Sequence, residues 1–263
     1  MPADETRPSV DRFAKFDERD AALIRWRHDR GYVAEINRAR YAKVFHGGRR
    51  MLDVGCGVGA AALFAGDATY VGIDLSETLV REGRARQGLA VAVADAAHLP
   101  FADGTFDRVV CLGVLHHMAA LEVHGAIREM ARVLEPDGEL AVIEPNPWGP
   151  FQRLMAYVRP PERGILHTGP ADLRRAIARV SELEIDLFER EHAMAVPAYL
   201  TFVLRRWRWV TGPRMTRWLM RLHALVVRLT PRALRSHTFW RLRKRGTGGG
   251  EGAGARPAAG PAA

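Results

Sequence analysis

Met51-Leu-Asp-Val-Gly-Cys-Gly-Val-Gly-Ala60 packs three glycines at alternate positions behind an acid-tipped apolar run. It predicts a short apolar strand that stops at Asp53, then a turn through Gly55, Gly57 and Gly59, then a helix opened by Ala60-Ala-Ala-Leu-Phe64. A strand, a turn without side chains and a helix N-terminus make a nucleotide-binding loop, because only glycine lets backbone come that close to a ligand. The glycines do not name the ligand, since Gly55, Gly57 and Ala60 also fit the dinucleotide spacing. Asp53 discriminates. Dinucleotide folds normally keep an apolar residue two places before the first glycine. A carboxylate at that strand end can instead face a cationic or amine-bearing ligand.

Working outward, the next two strands also end in acids. Thr69–Asp74 places a carboxylate where it can accept both hydroxyls of a ribose. Leu75 follows, and Ser76-Glu77 is an N-terminal helix signal. Ala90–Ala94 runs into Asp95-Ala-Ala-His-Leu-Pro-Phe-Ala-Asp-Gly-Thr-Phe-Asp107, with an apolar Leu-Pro-Phe inside what would otherwise be a surface loop and a turn at Asp103-Gly104. Phe106–Leu112 is the near-continuous apolar run of a strand covered on both faces. It continues into Gly113-Val-Leu-His116-His117-Met118. Leu121–Leu134 predicts an amphipathic helix ended by Glu135-Pro-Asp-Gly138. A fifth strand, Glu139–Ile143, then leads into Glu144-Pro-Asn-Pro-Trp-Gly-Pro150.

The pattern Leu52-Asp53-x-Gly55-x-Gly57-x-Gly59 resembles the first motif of class I S-adenosylmethionine-dependent methyltransferases. Residues 95–107 resemble the D-x-x-x-L-P-F-x-D-x-x-F-D segment of their type 11, or ubiquinone-biosynthesis-like, group. The resemblance is strong from Met51 to Glu144 and extends weakly to Lys244. It implies an α/β fold, a Rossmann-like seven-stranded, mostly parallel sheet with helices on both faces, and S-adenosyl-L-methionine as cofactor. It places Asp53 near the cofactor's amino acid moiety and passes Gly55, Cys56, Gly57 and Gly59 beneath its ribose and methionine parts. It puts Asp74 and Leu75 at the ribose, Asp95 on the adenine amino group, the Ala96 N–H on the ring, and Leu99, Pro100 and Phe101 around it. The fourth strand's end at Leu112 would face the transferable methyl. The Glu-Pro-Asn-Pro run recurs in a subset acting on bulky or lipid-like molecules, which makes Glu144 and Asn146 substrate-side candidates; equally, the prolines simply direct the chain away. An adenine N-methyltransferase would carry Asn/Asp-Pro-Pro-aromatic after the fourth strand, where this chain has Leu-Gly-Val-Leu.

An imidazole at His116 or His117 could take a proton from a phenol, enol or hydroxyl as the methyl arrives. Packing, or a hydrogen bond to the cofactor carboxylate, is the alternative. No metal is expected, because no Cys or acidic residue stands at ligand spacing around the pair. A sulfonium methyl is already electrophilic, so the protein needs mainly to align a nucleophile and exclude water. That suits a chain with an elaborate ligand loop and no evident catalytic pair. The acceptor this implies is a small molecule of lipid-like, quinone or isoprenoid type.

At 263 residues, 48% of them apolar, the chain can bury one sizeable core plus an elaboration. Cys56 and Cys111 are too few for a disulfide framework and sit where reduced thiols would. The N-terminus lacks the apolar core of a signal peptide, so a cytoplasmic enzyme is expected. Residues 1–10 are expected to be disordered and 11–46 to form a helical leader, which in such enzymes packs across the ligand mouth or, equally, merely covers the sheet. A methyltransferase domain is assigned to 47–245 and a disordered Gly/Ala/Pro tail to 246–263.

Leu183–Phe188 and His237–Lys244 read as the last two strands, too far apart for a hairpin loop. The insert between them, 196–235, lies in a region of distinctive charge. From His192 to Arg245 there are 13 Lys and Arg and no Asp or Glu, against a formal net charge of +9 for the whole chain. A helix through Arg214, Arg217, Arg221 and Arg228 puts the basic residues on one side and Met215, Trp218, Leu219, Leu222, Leu225, Val226 and Leu229 largely on the other. Such a helix can lie in an anionic membrane interface, giving peripheral contact through residues 199–229 at the inner face. Two other readings stay open: a solvated face on a helix pair that caps the core, and a nucleic-acid surface. No recognisable RNA module accompanies the latter. The rival functions are an RNA methyltransferase, a nicotinamide enzyme, and a non-catalytic S-adenosylmethionine-binding protein.

Overall fold

In the computed structural model the described residues are 32–44, 48–87, 89–158, 160–191 and 212–246. The expected disorder at 1–10 and 247–263, the first part of the leader, and residues 192–211 of the basic region all lie outside them.

Seven strands form one sheet: β1 (Arg50–Val54), β2 (Thr69–Asp74), β3 (Val91–Val93), β4 (Phe106–Leu112), β5 (Leu134–Pro145), β6 (Leu183–Glu191) and β7 (His237–Lys244). Their spatial order is β3-β2-β1-β4-β5-β7-β6. The first five pair in parallel, and β7 runs antiparallel between β5 and β6. The order reverses beside β1, so the carboxyl ends of β1 and β4 flank the crevice where open α/β sheets bind ligands. Six helices accompany the sheet among the described residues: α1 (Tyr32–Val44), α2 (Glu77–Gln87), α3 (Ala120–Val133), α4 (Pro150–Val158), α5 (Pro170–Ala178) and α6 (Pro213–Leu229).

Three elements differ from expectation. The helix after the glycine turn is a 3-10 segment, Ala60–Phe64. Gly59 and Gly66, both at positive φ, bracket too few residues for α-helical bonding to propagate. β3 keeps only Val91–Val93 of the expected run. β5 begins earlier: Leu134 pairs with Phe106 and Glu139 with Arg108, so Glu135–Gly138 bulge out opposite Asp107.

Residues alternate across the sheet with the period of two that a pleated strand requires. Leu52, Val54, Val109, Cys111, Leu140, Val142, Trp240 and Leu242 face one side, where Val123, Ile127 and Met130 of α3 and Leu173 and Ile177 of α5 cover them. Val110, Ala141, Ile143 and Phe239 form the opposite cluster, with Leu112 and Leu187 at its edge. Asp53 has the parity of this second face. The described part of the leader, α1, packs on the 60–64 turn and on α6, with the Tyr32 hydroxyl 2.9 Å from His223 Nδ1.

Lys244 closes the end of α3 from β7. Its Nζ donates to the carbonyls of Ala131 and Leu134, at 2.8 and 2.7 Å, and more weakly to that of Arg132 at 3.4 Å. A cation on these terminal carbonyls also complements the helix dipole. Lys244→Met keeps the apolar stem and removes the ammonium. We expect it to lower unfolding free energy by about 2 kcal/mol in a urea titration, the scale of hydrogen bonds to a charged donor. A loss under about 0.5 kcal/mol, the usual effect of a surface substitution, would show that water replaces it freely.

Candidate functional site

Asp53 is only 2% exposed, at the tip of β1 beneath the glycine turn. The Tyr70 hydroxyl donates to its Oδ2 at 2.7 Å. Burial pushes its pKa up to about 7; the Tyr70 hydrogen bond pulls it back and the charge of Asp74 adds to the rise. Among the described residues no Lys, Arg or His forms an ion pair with this carboxylate. Asp74 ends the neighbouring strand. Its Oδ2 accepts the Gly57 N–H and its Oδ1 the Ser76 N–H, both at 2.8 Å, and the Leu75 N–H assists. Burial still raises its pKa. Asp95, just past β3, forms an Asx turn in which Oδ1 accepts the Ala97 N–H at 2.9 Å. Ala96 beside it is buried, and Leu112 is half-buried at the end of β4.

The glycine turn is tied to β2, with the N–H groups of Gly55 and Cys56 both donating to the Ile73 carbonyl. Gly55 has φ +73°, and a Cβ there would overlap the Val114 side chain, so no other residue fits. Gly57 and Gly113 differ: among the described residues a Cβ on either would meet nothing within 4 Å. Among the described residues there is therefore open room over the turn and over the end of β4. Cys56 and Cys111 are buried, and burial raises both thiols, so neither is a nucleophile at neutral pH.

The loop after Asp95 is clamped from α3 by two residues that the sequence reading passed over. Glu129 Oε2 accepts the Leu99 N–H at 2.9 Å. Arg132 donates to the carbonyls of Leu99 and Phe101, to Asp103, and to Glu129 itself. The pair stands only three residues apart on the helix, but its targets lie some thirty residues earlier, so periodicity alone could not reveal them. Arg132→Ala is expected to loosen the loop and weaken binding of an adenine nucleoside about tenfold, the lower end of what a displaced positioning group costs. Calorimetric titration checks this; unchanged affinity would mean the loop holds its shape without the clamp.

Under the end of β4 the two substrate-side candidates are turned inward. Glu144 is fully buried. Its Oε1 accepts the N–H groups of Val114 and Leu115, both at 2.8 Å, and its Oε2 that of His116 at 3.3 Å and a contact from His116 Nδ1 at 2.7 Å. Asn146 is also fully buried; its Nδ2 donates to the carbonyls of Ala233 and Arg235, and its Oδ1 accepts the Trp148 N–H. Both hold loops in place, and in this arrangement neither offers its polar group to an acceptor.

His116 lies between two carboxylates, with Nε2 3.3 Å from Glu162 Oε2 on the 3-10 segment Pro160–His167. Burial lowers its pKa, but the charge and hydrogen bond of Glu144, reinforced by Glu162, outweigh this and leave it raised to about 9. The ring is thus charged at neutral pH and engaged at both nitrogens, which corrects the expectation of an available base at this position. His117 is half-buried beside it, with ring centroids 3.9 Å apart.

Comparison with known proteins bears on this arrangement. A family model described as a methyltransferase domain matches residues 52–142. The malonyl-[acyl-carrier protein] O-methyltransferase of Geobacter sulfurreducens is 32% identical over 208 residues, covering 66% of this chain and 75% of that protein. The chain belongs to the class I S-adenosylmethionine-dependent methyltransferases, in the type 11 group. This methyltransferase is also 38% identical over 116 residues to the demethylmenaquinone methyltransferase of Beutenbergia cavernae, covering 42% of its own length and 47% of the relative. It therefore spans less than half of that second relative. Among solved structures, phosphoethanolamine N-methyltransferase 2 of Haemonchus contortus, in complex with S-adenosyl-L-methionine, superposes with a TM-score of 0.64. That match has 16% identity and covers 93% of the methyltransferase and 62% of the neighbour, a likeness of fold alone.

Proposed function

We propose that this methyltransferase holds S-adenosyl-L-methionine across the tips of β1, β2 and β3 and transfers its methyl to a small, largely apolar acceptor over the end of β4. Asp53 carries the reading. A buried carboxylate raised to about 7, with no cation at its side among the described residues, is costly for a protein holding nothing. The cofactor's α-ammonium would neutralise it. The room over Gly57 fits the methionine and ribose parts. The second lone pairs of the Asp74 oxygens accept the ribose hydroxyls, and Asp95 with the Ala96 N–H takes the adenine edge. When bound, the cofactor supplies a methyl group on a sulfonium, ready for in-line displacement. The chain's part is to align the acceptor over Gly113 and Leu112 and keep water out.

The relatives' names speak of an acyl-carrier thioester of malonate and of a quinone. Trp148, Leu154, Tyr157 and Val158, on and before α4, are exposed close to where β5 ends, and suit a lipid-like, quinone or isoprenoid acceptor. The exposed face of α6 supports delivery from a membrane. Arg214, Arg217, Arg221 and Arg228 form its basic half; Met215, Trp218, Leu225 and Leu229 form its apolar half, Trp218 being 57% exposed. This is the face of a helix lying in an anionic lipid surface. No helix of the described residues is long and apolar enough to cross a bilayer.

The test is incubation with methyl-labelled cofactor and lipid or small-molecule extracts, followed by mass identification of the product. A labelled apolar product supports the reading, and label appearing only in RNA overturns the acceptor class. Flotation with anionic but not neutral vesicles would support the docking face; equal flotation with both, or salt-sensitive retention on RNA instead, would remove it.

A further inference from the structure

Local spacing around the histidine pair does not point to a metal, because the acid that completes the ligand set stands far downstream. We propose that His116, His117 and Glu162 form a site for a first-row divalent transition ion, with Glu144 orienting His116 from behind.

The donor atoms of these three residues all lie within 4.8 Å of one another. The separation of His116 Nε2 and Glu162 Oε2, 3.3 Å, is long for a charge-assisted hydrogen bond, which runs about 2.7–2.9 Å. It matches the edge between two ligands of a tetrahedral ion with bonds of about 2.1 Å, which is about 3.4 Å. The opposite nitrogen of the same ring supplies a second indication. A metal-bound histidine almost always gives its other ring N–H to a carboxylate, a backbone carbonyl or water. His116 Nδ1 is 2.7 Å from Glu144 Oε2, and Glu144 is itself pinned by the Val114 and Leu115 N–H groups. That fixes the ring plane and sets Nε2 toward Glu162; an entering ion would displace the proton that Nε2 carries in the metal-free chain and take its place.

The cover that carries Glu162 is also fixed. A Cβ at Gly164 would overlap the His116 carbonyl, so the 160–167 segment lies directly on the histidine turn. Two imidazoles and one carboxylate are the donor set of open, catalytic zinc sites and of mononuclear iron sites, so Zn²⁺, Co²⁺, Mn²⁺ and Fe²⁺ suit it better than Mg²⁺ or Ca²⁺. Three protein ligands leave a fourth position for water or an acceptor oxygen. Its use by an acceptor rests on the methyl-transfer reading above; the site itself does not.

The experiment uses the full-length chain with any histidine tag removed, stripped with chelator and titrated with Co²⁺. Binding is read by the visible d–d absorption, by its displacement with equimolar Zn²⁺, and by the shift in melting temperature. One ion per chain is expected, bound at least tenfold more weakly by H117A and by E162Q. E162Q is isosteric on a partly exposed cover, so it decides the matter should H117A melt lower before metal is added. Absence of a cobalt spectrum, or variants that bind as the parent does, would overturn the site. Titration of S-adenosyl-L-methionine into the same samples separates the two claims. Cofactor binding without metal binding removes only the metal site; metal binding without cofactor binding removes only the methyl-transfer reading.

Discussion

Asp53→Asn is expected to weaken binding of S-adenosyl-L-methionine at least 100-fold, about 2.7 kcal/mol, while the free protein becomes no less stable above neutral pH. The two effects point in opposite directions because the carboxylate belongs to the ligand more than to the fold. Its pKa in the folded chain is raised by burial to about 7. The native state therefore holds this proton more tightly than the unfolded chain. The stability linked to the group is complete below its unfolded value near 3.9 and is lost as pH rises through about 7. A rise of this size corresponds to at most about 4 kcal/mol, which asparagine avoids. The cofactor reverses the sign. Its ammonium prefers the carboxylate, so binding below pH 7 must expel a proton and affinity should fall by up to tenfold per pH unit. Calorimetry in buffers of different ionisation enthalpy reads the released proton directly. Melting curves of parent and variant from pH 5 to 8 read the other half. Equal affinity in parent and variant would remove Asp53 from the site.

Glu144→Ala is expected to cost about 3–5 kcal/mol of folding free energy, the scale for removing one partner of a buried charge pair. It would leave the N–H groups of Val114, Leu115 and His116 without their acceptor and His116 without its nearer carboxylate. Glu144→Gln keeps one acceptor oxygen and should cost less than half as much. Urea titration of both variants checks the order. A loss below about 1 kcal/mol in the alanine variant would mean that water satisfies the turn and that Glu144 is no pillar, since an unsatisfied buried group alone costs about that much.

The parallel sheet was legible because its strands are apolar runs that stop at acids or glycines, a local signal. The antiparallel pairing of β7 with β5 and β6 followed the weak end of the family resemblance and is met across the full length of β7. The 60–64 turn was misread because strand–glycine–helix is the usual pattern, whereas Gly66 here stops the helix at once. The acceptor end was the hardest to read. Glu144 and Asn146 look like ligand contacts when only their position after β5 is known. Their burial is decided by loops 28 to 89 residues away. Glu162 meets His116 across 46 residues, and Lys244 meets α3 across 110 or more. No spacing rule links such pairs, because the chain between them folds independently of the contact.

In the proposed complex, Asp53, Asp74 and Asp95 hold one sulfonium nucleoside along the carboxyl edge of the sheet. A crystal structure of the full chain grown with S-adenosyl-L-methionine tests it most directly. The expected result places the α-ammonium at Asp53, both ribose hydroxyls at Asp74 and the adenine amino group at Asp95, each at about 2.7–3.2 Å. A cofactor seated elsewhere, or lying on the glycine turn with these three side chains directed away from it, would contradict the claim.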